Sequence, residues 1–211
     1  MTNKWLKVAL MVTAIATGTS IKIDAETVLY VPQDDRPVSL QYTVDTAREA
    51  GMTVLTPPQH LISGKTYQGQ ADQIMAWVEQ NAGRADVMVL STDTLIYGGL
   101  VDSRKHNIPL STLQNRLKRI EGLKARNKNV RIYGFGTVMR SPRASGGGTE
   151  PAYYAEYGPT IFQIAALQDK LDSGSLTQEE TQKLMSLQAS VPVEYLQDWF
   201  DCRLKIMRIN K

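Results

Sequence analysis

The sequence has very little cysteine and histidine. Its 211 residues include one cysteine, Cys202, and two histidines, His60 and His106. A single cysteine excludes an internal disulfide and a thiolate metal cluster within one chain. The histidines are far apart in the sequence, so a zinc site is not predicted. We therefore predict no cofactor, and a divalent cation bound by carboxylates stays open as a variant.

The sequence also lacks a large excess of charge of either sign. Its 24 Lys and Arg residues are nearly balanced by 21 Asp and Glu residues, for a formal net charge of +3. The two signs alternate along the chain, whereas nucleic-acid-binding proteins usually gather basic residues into a patch or stripe. Nucleic acid is therefore not a predicted partner. The hydrophobic content of 42% is ordinary for a globular protein.

Three common catalytic motifs are absent. The segment ISGKTYQG resembles a phosphate-binding loop, but Gln59 stands where that loop requires its first glycine. The segment YGFGTV has no third glycine to open a helix, so the dinucleotide-binding fingerprint is incomplete. The G-x-S-x-G pattern of serine hydrolases does not occur. The sequence thus gives no indication of nucleotide hydrolysis, dinucleotide binding or a serine triad.

No apolar run is long enough to span a membrane. The apolar stretch near the N-terminus, at about residues 8–16, is far shorter than the roughly 20 residues that a span requires. Lys4 and Lys7 precede it, and Ala25 offers a cleavage position. Residues 1–25 are therefore predicted to be a signal peptide of a protein exported to the periplasm, the cell envelope or the exterior. A cytoplasmic protein with an N-terminal extension is the alternative.

The chain does contain a regular alternation of strand and helix signals. Continuous runs of β-branched, aliphatic and aromatic residues occur at 27–31, 52–56, 86–91 and 130–136. Such runs are typical of strands covered on both faces, and amphipathic helical stretches separate them. The pattern over residues 26–142 predicts an α/β domain with a parallel sheet of at least four strands. The sheet is either open and doubly wound or part of a barrel.

The character of the sequence changes after residue 142. Residues 143–159 are rich in glycine and predicted to be a loop, and residues 160–211 are predicted to be helical. The last helix carries Trp199, Phe200 and Leu204, and no later segment is present to cover them. We therefore expect these side chains to be unusually exposed. A C-terminal helix docked on the sheet is the alternative.

Acidic and arginine side chains follow three of the predicted strands. The carboxyl ends of parallel strands lie at one edge of a sheet, where ligands bind in open sheets and barrels alike. The predicted catalytic residues are Asp34, Asp35 and Asp93. The predicted ligand-binding residues are Arg36, Thr94, Tyr97, Gly98, Gly99, Arg104 and Arg140. Each also has a structural interpretation, as a helix cap, a turn residue or a local ion pair.

The same segments resemble a known family. LYVPQDDRPVSL, VLTPP, VLSTDTLIYGGLVDSR and YGFGTVMR are similar, in order and spacing, to signature segments of DUF4127, a bacterial family of unknown function. Gln33 replaces the leucine that is usual in the family. Family members are longer, which implies that this chain ends before the family's C-terminal half. The resemblance implies no particular activity.

Two classes of function are compatible with these residues. The first is an exported hydrolase of a glycan or cell-envelope sugar, with the strand-end acids as acid, base or nucleophile and the arginines as ligand-binding groups. The second is a non-catalytic binding protein for a small anionic or sugar ligand. Both predict a small-molecule or glycan partner, and the sequence gives no indication of oligomeric state.

Overall fold

A four-stranded parallel sheet forms the first part of the protein. The computed structural model describes residues 25–144 and 148–209, so the predicted signal peptide lies outside the described residues except for Ala25. The strands are β1 (Thr27–Val31), β2 (Thr53–Leu55), β3 (Val87–Ser91) and β4 (Arg131–Phe135). They are hydrogen-bonded in the order β2-β1-β3-β4, and every pair is parallel. The predicted α/β fold is confirmed.

Helices connect the strands and then continue alone to the C-terminal end of the described chain. They are α1 (Gln41–Glu49), α2 (Ala71–Asn81), α3 (Asp102–Lys105), α4 (Leu110–Arg126), α5 (Tyr154–Asp172), α6 (Gln178–Ala189) and α7 (Val193–Ile209). A short π-helical segment, Asp93–Tyr97, follows β3 directly. No helix in the described part of the chain combines the length and the apolar character needed to cross a bilayer.

Different helices border the two faces of the sheet. Leu29 and Leu90 point to one face, where they pack with Ile74 of α2 and Leu123 of α4 in a buried core. The alternate strand residues point to the opposite face, where Ala47 and its neighbours on α1 border them. Helices on both faces of an open parallel sheet make this a doubly wound arrangement.

The C-terminal helices form a second hydrophobic cluster with its own aromatic centre. Its buried members are Tyr154, Ile161, Ile164, Leu167, Leu184, Val191 and Trp199. A capping box opens α6: Glu180 N donates to Thr177 Oγ1 at 3.2 Å, and Thr177 N donates to Glu180 Oε2 at 3.1 Å. This reciprocal pair fixes the turn between α5 and α6.

The predicted exposure of the last helix is wrong for its largest side chain. Trp199 is fully buried, because Tyr154 of α5 stacks on it at a centroid distance of 4.1 Å. Its indole Nε1 also donates to Ser141 Oγ at 3.2 Å. An earlier helix therefore covers the face that sequence order left without a partner. The prediction holds for Leu204, which is 44% exposed.

The predicted loop over residues 143–159 ends too late. Helix α5 begins at Tyr154, where the tyrosine hydroxyl donates to Pro142 O at 2.7 Å. Burial of this aromatic side chain fixes the first turn, so the helix extends through Pro159. Packing overrides the helix-breaking tendency of proline at this position.

Candidate functional site

The strand order creates a crevice at the carboxyl ends of β1 and β3. After β1 the chain passes to α1 on one face of the sheet, and after β3 it passes to α4 on the other. Such a switch point is where open α/β sheets bind ligands. The two loops are tied together there, because Thr94 Oγ1 donates to Pro32 O at 2.5 Å and Leu100 N donates to Gln33 O at 3.1 Å.

Asp93 lies at this switch point and is 3% exposed. Its Oδ2 accepts hydrogen bonds from Gln33 Nε2, Thr137 N and Thr137 Oγ1, each at 3.0 Å. The loops after β1 and β4 thus both hold this carboxyl. Burial raises the pKa of Asp93 above its ordinary value, although these hydrogen bonds and the charge of Arg104 act in the opposite direction. A strand-end acid that keeps its proton to higher pH is suited to proton donation.

The second carboxyl oxygen of Asp93, Oδ1, lies near Gly136. A Cβ added to Gly136 would come within 3.7 Å of Asp93 Oδ1 and within 2.3 Å of Thr92 Oγ1. Gly136 itself is exposed. Glycine at this position therefore avoids a clash with Thr92 and keeps a side chain from covering Asp93 Oδ1.

A small cavity opens beside Thr137 and has more positive than negative groups in its wall. Its volume is about 120 Å³, and we call it the arginine cavity. Its lining residues are Arg104, Thr137, Val138, Met139, Arg140, Pro142, Glu150 and Arg203. Three arginines and one glutamate favour an anionic group, since opposite charges attract strongly where water is partly excluded.

Arg104 interacts with two carboxyl groups at this site. Its Nη1 lies 3.8 Å from Glu150 Oε1, and its charge also lowers the pKa of Asp93. The Glu150 side chain is only 5% exposed, and it accepts a hydrogen bond from Thr149 Oγ1 at 2.8 Å. Arg104 is therefore close enough to interact with two buried carboxyl groups, Glu150 and Asp93.

Arg203 of α7 is a largely desolvated cation in the cavity wall. Its guanidinium carbon lies 3.0 Å from the centroid of the Trp199 ring, and its Nη1 donates to Trp199 O at 3.1 Å. Burial lowers the pKa of Arg203 to about 10. Its Nε is buried without a hydrogen-bond partner among the described residues. An anion in the cavity would compensate this desolvation.

Comparison with known families decides the relationship of the chain. The model of the family described as "Protein of unknown function (DUF4127)" matches residues 28–211. The chain belongs to this family. No curated protein and no solved structure matches it. The resemblance drawn from the strand-end segments is therefore confirmed.

In this DUF4127 protein the other two predicted acids, Asp34 and Asp35, form no hydrogen bond or ion pair with Asp93 among the described residues. Asp34 is 4% exposed and forms an ion pair with Arg36, whose Nη2 lies 2.8 Å from Asp34 Oδ2. Asp35 accepts a hydrogen bond from the Tyr67 hydroxyl. It caps no helix, because α1 begins at Gln41 without a side-chain cap.

The predicted glycine pair makes close contacts with another segment of the same chain. Gly98 has a φ of 106°, and a Cβ added to Gly69 would come within 2.0 Å of its carbonyl oxygen. A Cβ added to Gly99 would come within 1.8 Å of Ser63 Oγ. The remaining predicted residue of this turn, Tyr97, is 5% exposed. The close approach that these glycines permit is thus between two loops of the protein.

Replacing Gly69 with alanine is expected to destabilise the protein by about 1–3 kcal/mol, as overpacking does. The added methyl would meet the backbone oxygen of Gly98, which cannot rotate away. Gly83 is the matched control, since an added Cβ there meets nothing within 4 Å and Gly83→Ala should be neutral or mildly stabilising. Urea unfolding measures both. Equal midpoints for Gly69→Ala and the wild type would contradict this packing.

Four polar residues of the site, Gln33, Thr137, Glu150 and Arg203, were not among the predicted site residues. Thr137 and Gln33 follow strand ends, so the rule that identified Asp93 could have included them. Glu150 and Arg203 have no such signal, because they lie far along the chain in the loop before α5 and in α7. The packing of α7 brings Arg203 to the cavity, and the loop before α5 brings Glu150. Among the described residues, no three His, Cys, Asp or Glu side chains come together as a metal site.

Proposed function

We propose that this DUF4127 protein is an exported hydrolase of a glycan or cell-envelope sugar that carries a negative charge. Asp93 is its acid and the arginine cavity binds the anionic group. The observation that carries the proposal is a buried strand-end carboxyl held by Thr137, which itself lines a cavity with three arginines. Burial also raises the pKa of this carboxyl. Export is supported by the N-terminal sequence pattern alone.

The proposed reaction uses two carboxyl groups. Protonated Asp93 donates its proton from Oδ1 to the glycosidic oxygen while the bond from that oxygen to the anomeric carbon breaks. Water attacks the anomeric carbon, and Glu150 takes the proton that this water loses. Gln33 and Thr137 hold Oδ2, so the carboxyl cannot rotate away from the leaving group.

A binding protein without turnover is the second candidate. The observation that favours it is the excess of arginine over acid in the cavity wall, which suits the retention of an anion. In this case Asp93 positions Thr137 and the loop after β4 and transfers no proton.

The two candidates differ in a direct assay. Wild-type protein is incubated with the 4-nitrophenyl glucuronides and, as neutral controls, the 4-nitrophenyl glucosides, using both anomers of each. The hydrolase releases nitrophenol faster from a glucuronide, and Arg140→Gln lowers kcat/KM for that substrate by about tenfold, because a hydrogen bond to a charged group is lost. If glucuronate binds in calorimetry but no nitrophenol is released in the assay, the result supports the binding protein. Absence of both binding and release would overturn both candidates.

A further inference from the structure

A larger, mostly apolar cavity adjoins the arginine cavity. It has a volume of about 800 Å³ and lies between the loop after β4 and helices α5, α6 and α7. Its apolar wall includes Val138, Met139, Leu196, Phe200 and Leu204, and we call it the apolar groove. Its size is within the range of small-molecule sites.

The two cavities share part of their walls. Val138, Met139, Arg140 and Arg203 line both of them. The two cavities are therefore neighbours, and a ligand that occupies both would contact these four shared side chains. The groove also has exposed hydrophobic surface, since Val138 is 96% exposed and Leu204 is 44% exposed. Exposed apolar side chains along a groove are typical of a ligand site.

The charges of the groove fix the direction in which such a ligand would lie. Asp169 and Asp172 line the apolar groove but not the arginine cavity, so an anion is disfavoured beside them and favoured at the shared end. There Arg203 is desolvated and its Nε has no hydrogen-bond partner among the described residues. Charge complementarity thus assigns the anionic group to the shared end and the uncharged part to the groove.

We infer that the ligand of this protein is an amphiphile, with an anionic group in the arginine cavity and an alkyl chain in the apolar groove. This inference rests on the proposed function and narrows it from any anionic sugar to one attached to a lipid-like chain. The chain would cover Phe200 and Leu204, and the anion would bind Arg140 and Arg203.

The test compares three probes below their micelle concentrations by isothermal titration calorimetry. Decyl phosphate has both parts, ethyl phosphate has the anion alone, and decyl glucoside has the chain alone. We expect decyl phosphate to bind at least about tenfold more tightly than either of the others. Relative to ethyl phosphate, burial of only two methylene groups already provides about that factor. Relative to decyl glucoside, one hydrogen bond to a charged group provides it.

Single substitutions then remove one part of the preference at a time. Leu204→Asp should abolish the advantage of decyl phosphate over ethyl phosphate, and Arg140→Gln should abolish its advantage over decyl glucoside. Leu171, which is 48% exposed and does not line the groove, provides the matched control, and Leu171→Asp should bind like the wild type. Leu204→Gln, a milder change at a residue that lines the groove and not the arginine cavity, repeats the test if Leu204→Asp fails to fold.

Three results would overturn the inference. If ethyl phosphate binds as tightly as decyl phosphate and Leu204→Asp has no effect, the groove has no role, and the proposed hydrolysis of an anionic sugar still stands. If Leu204→Asp instead converts a dimer to a monomer in sedimentation velocity and leaves decyl phosphate binding unchanged, the groove is an interface between two copies. Failure of the phosphates to bind at all removes the anion site, and with it the proposed function.

Discussion

Asp93→Asn is expected to lower the rate of the proposed hydrolysis by at least about 100-fold, the smaller end of the range for loss of a general acid. Its carboxyl is buried and its pKa is raised, so it has the properties of a proton donor. Asparagine keeps the shape of the side chain and can still accept the hydrogen bonds from Gln33 and Thr137. Ligand affinity and the free energy of unfolding should therefore change little. Initial rates, calorimetric titration and urea unfolding measure the three quantities.

The variant Asp35→Asn distinguishes the sequence-based prediction, in which Asp35 is catalytic, from the contacts in the structure, which give Asp35 a structural role. If all strand-end acids share one site, this variant also loses turnover. The contacts in the structure instead connect Asp35 with Tyr67 and with the backbone of Ser63, so we expect turnover to be retained. Wild-type turnover in Asp93→Asn would leave Asp93 with a purely structural role and refute the proposed mechanism.

The sheet was predictable because its signal is local. Each strand is a continuous run of apolar residues, and β1 has the predicted bounds, 27–31. Strand direction then follows from the helices between the runs. The rule that parallel strands end at one edge also predicted that Asp93 lies among residues from other strand ends, and Gln33 and Thr137 from two of them contact it.

The site was predictable only in part, because half of it depends on long-range packing. Arg203 and Glu150 reach the cavity through the packing of α7 and the loop before α5, and no local pattern marks them. Sequence also cannot distinguish a charged pair that neutralises itself from one that faces a ligand. Asp34 and Arg36 are such a case, since they bind each other at 2.8 Å. The burial of Trp199 was not predicted for the same reason, because its partner Tyr154 is in α5 and the whole of α6 lies between them in the sequence.

His106 is expected to make the protein about 3 kcal/mol less stable at pH 4 than at pH 7. It is 8% exposed and stacks on Tyr97 at a centroid distance of 4.8 Å, and neither ring nitrogen has a hydrogen-bond partner among the described residues. Burial lowers the pKa of His106 to about 4, and nearby Lys205 and Arg116 add to this while Asp198 opposes it. In the unfolded chain the pKa of His106 is about 6.5, so at pH values between the two pKa values the unfolded state binds a proton and the folded state does not.

The sign and the pH window of this effect follow from the two pKa values. Above about pH 6.5 both states are neutral and the titration of His106 does not change the stability. Between about pH 6.5 and 4 only the unfolded state is protonated, so the stability falls as the pH falls and then levels off. His106→Phe keeps the stacking on Tyr97 and removes two unsatisfied nitrogens, so it should be neutral or stabilising at pH 7. The decrease in its free energy of unfolding between pH 7 and pH 4, measured by urea unfolding at each pH, should be smaller than that of the wild type by about 3 kcal/mol.

His60 provides the control. It is exposed, and His60→Gln should keep the wild-type dependence of stability on pH. The opposing and reinforcing carboxyl groups elsewhere, such as Asp93 and Asp72, are common to all three proteins and cancel in the comparison. Parallel pH profiles for the wild type and His106→Phe would show that the folded state accepts the proton on His106 after all.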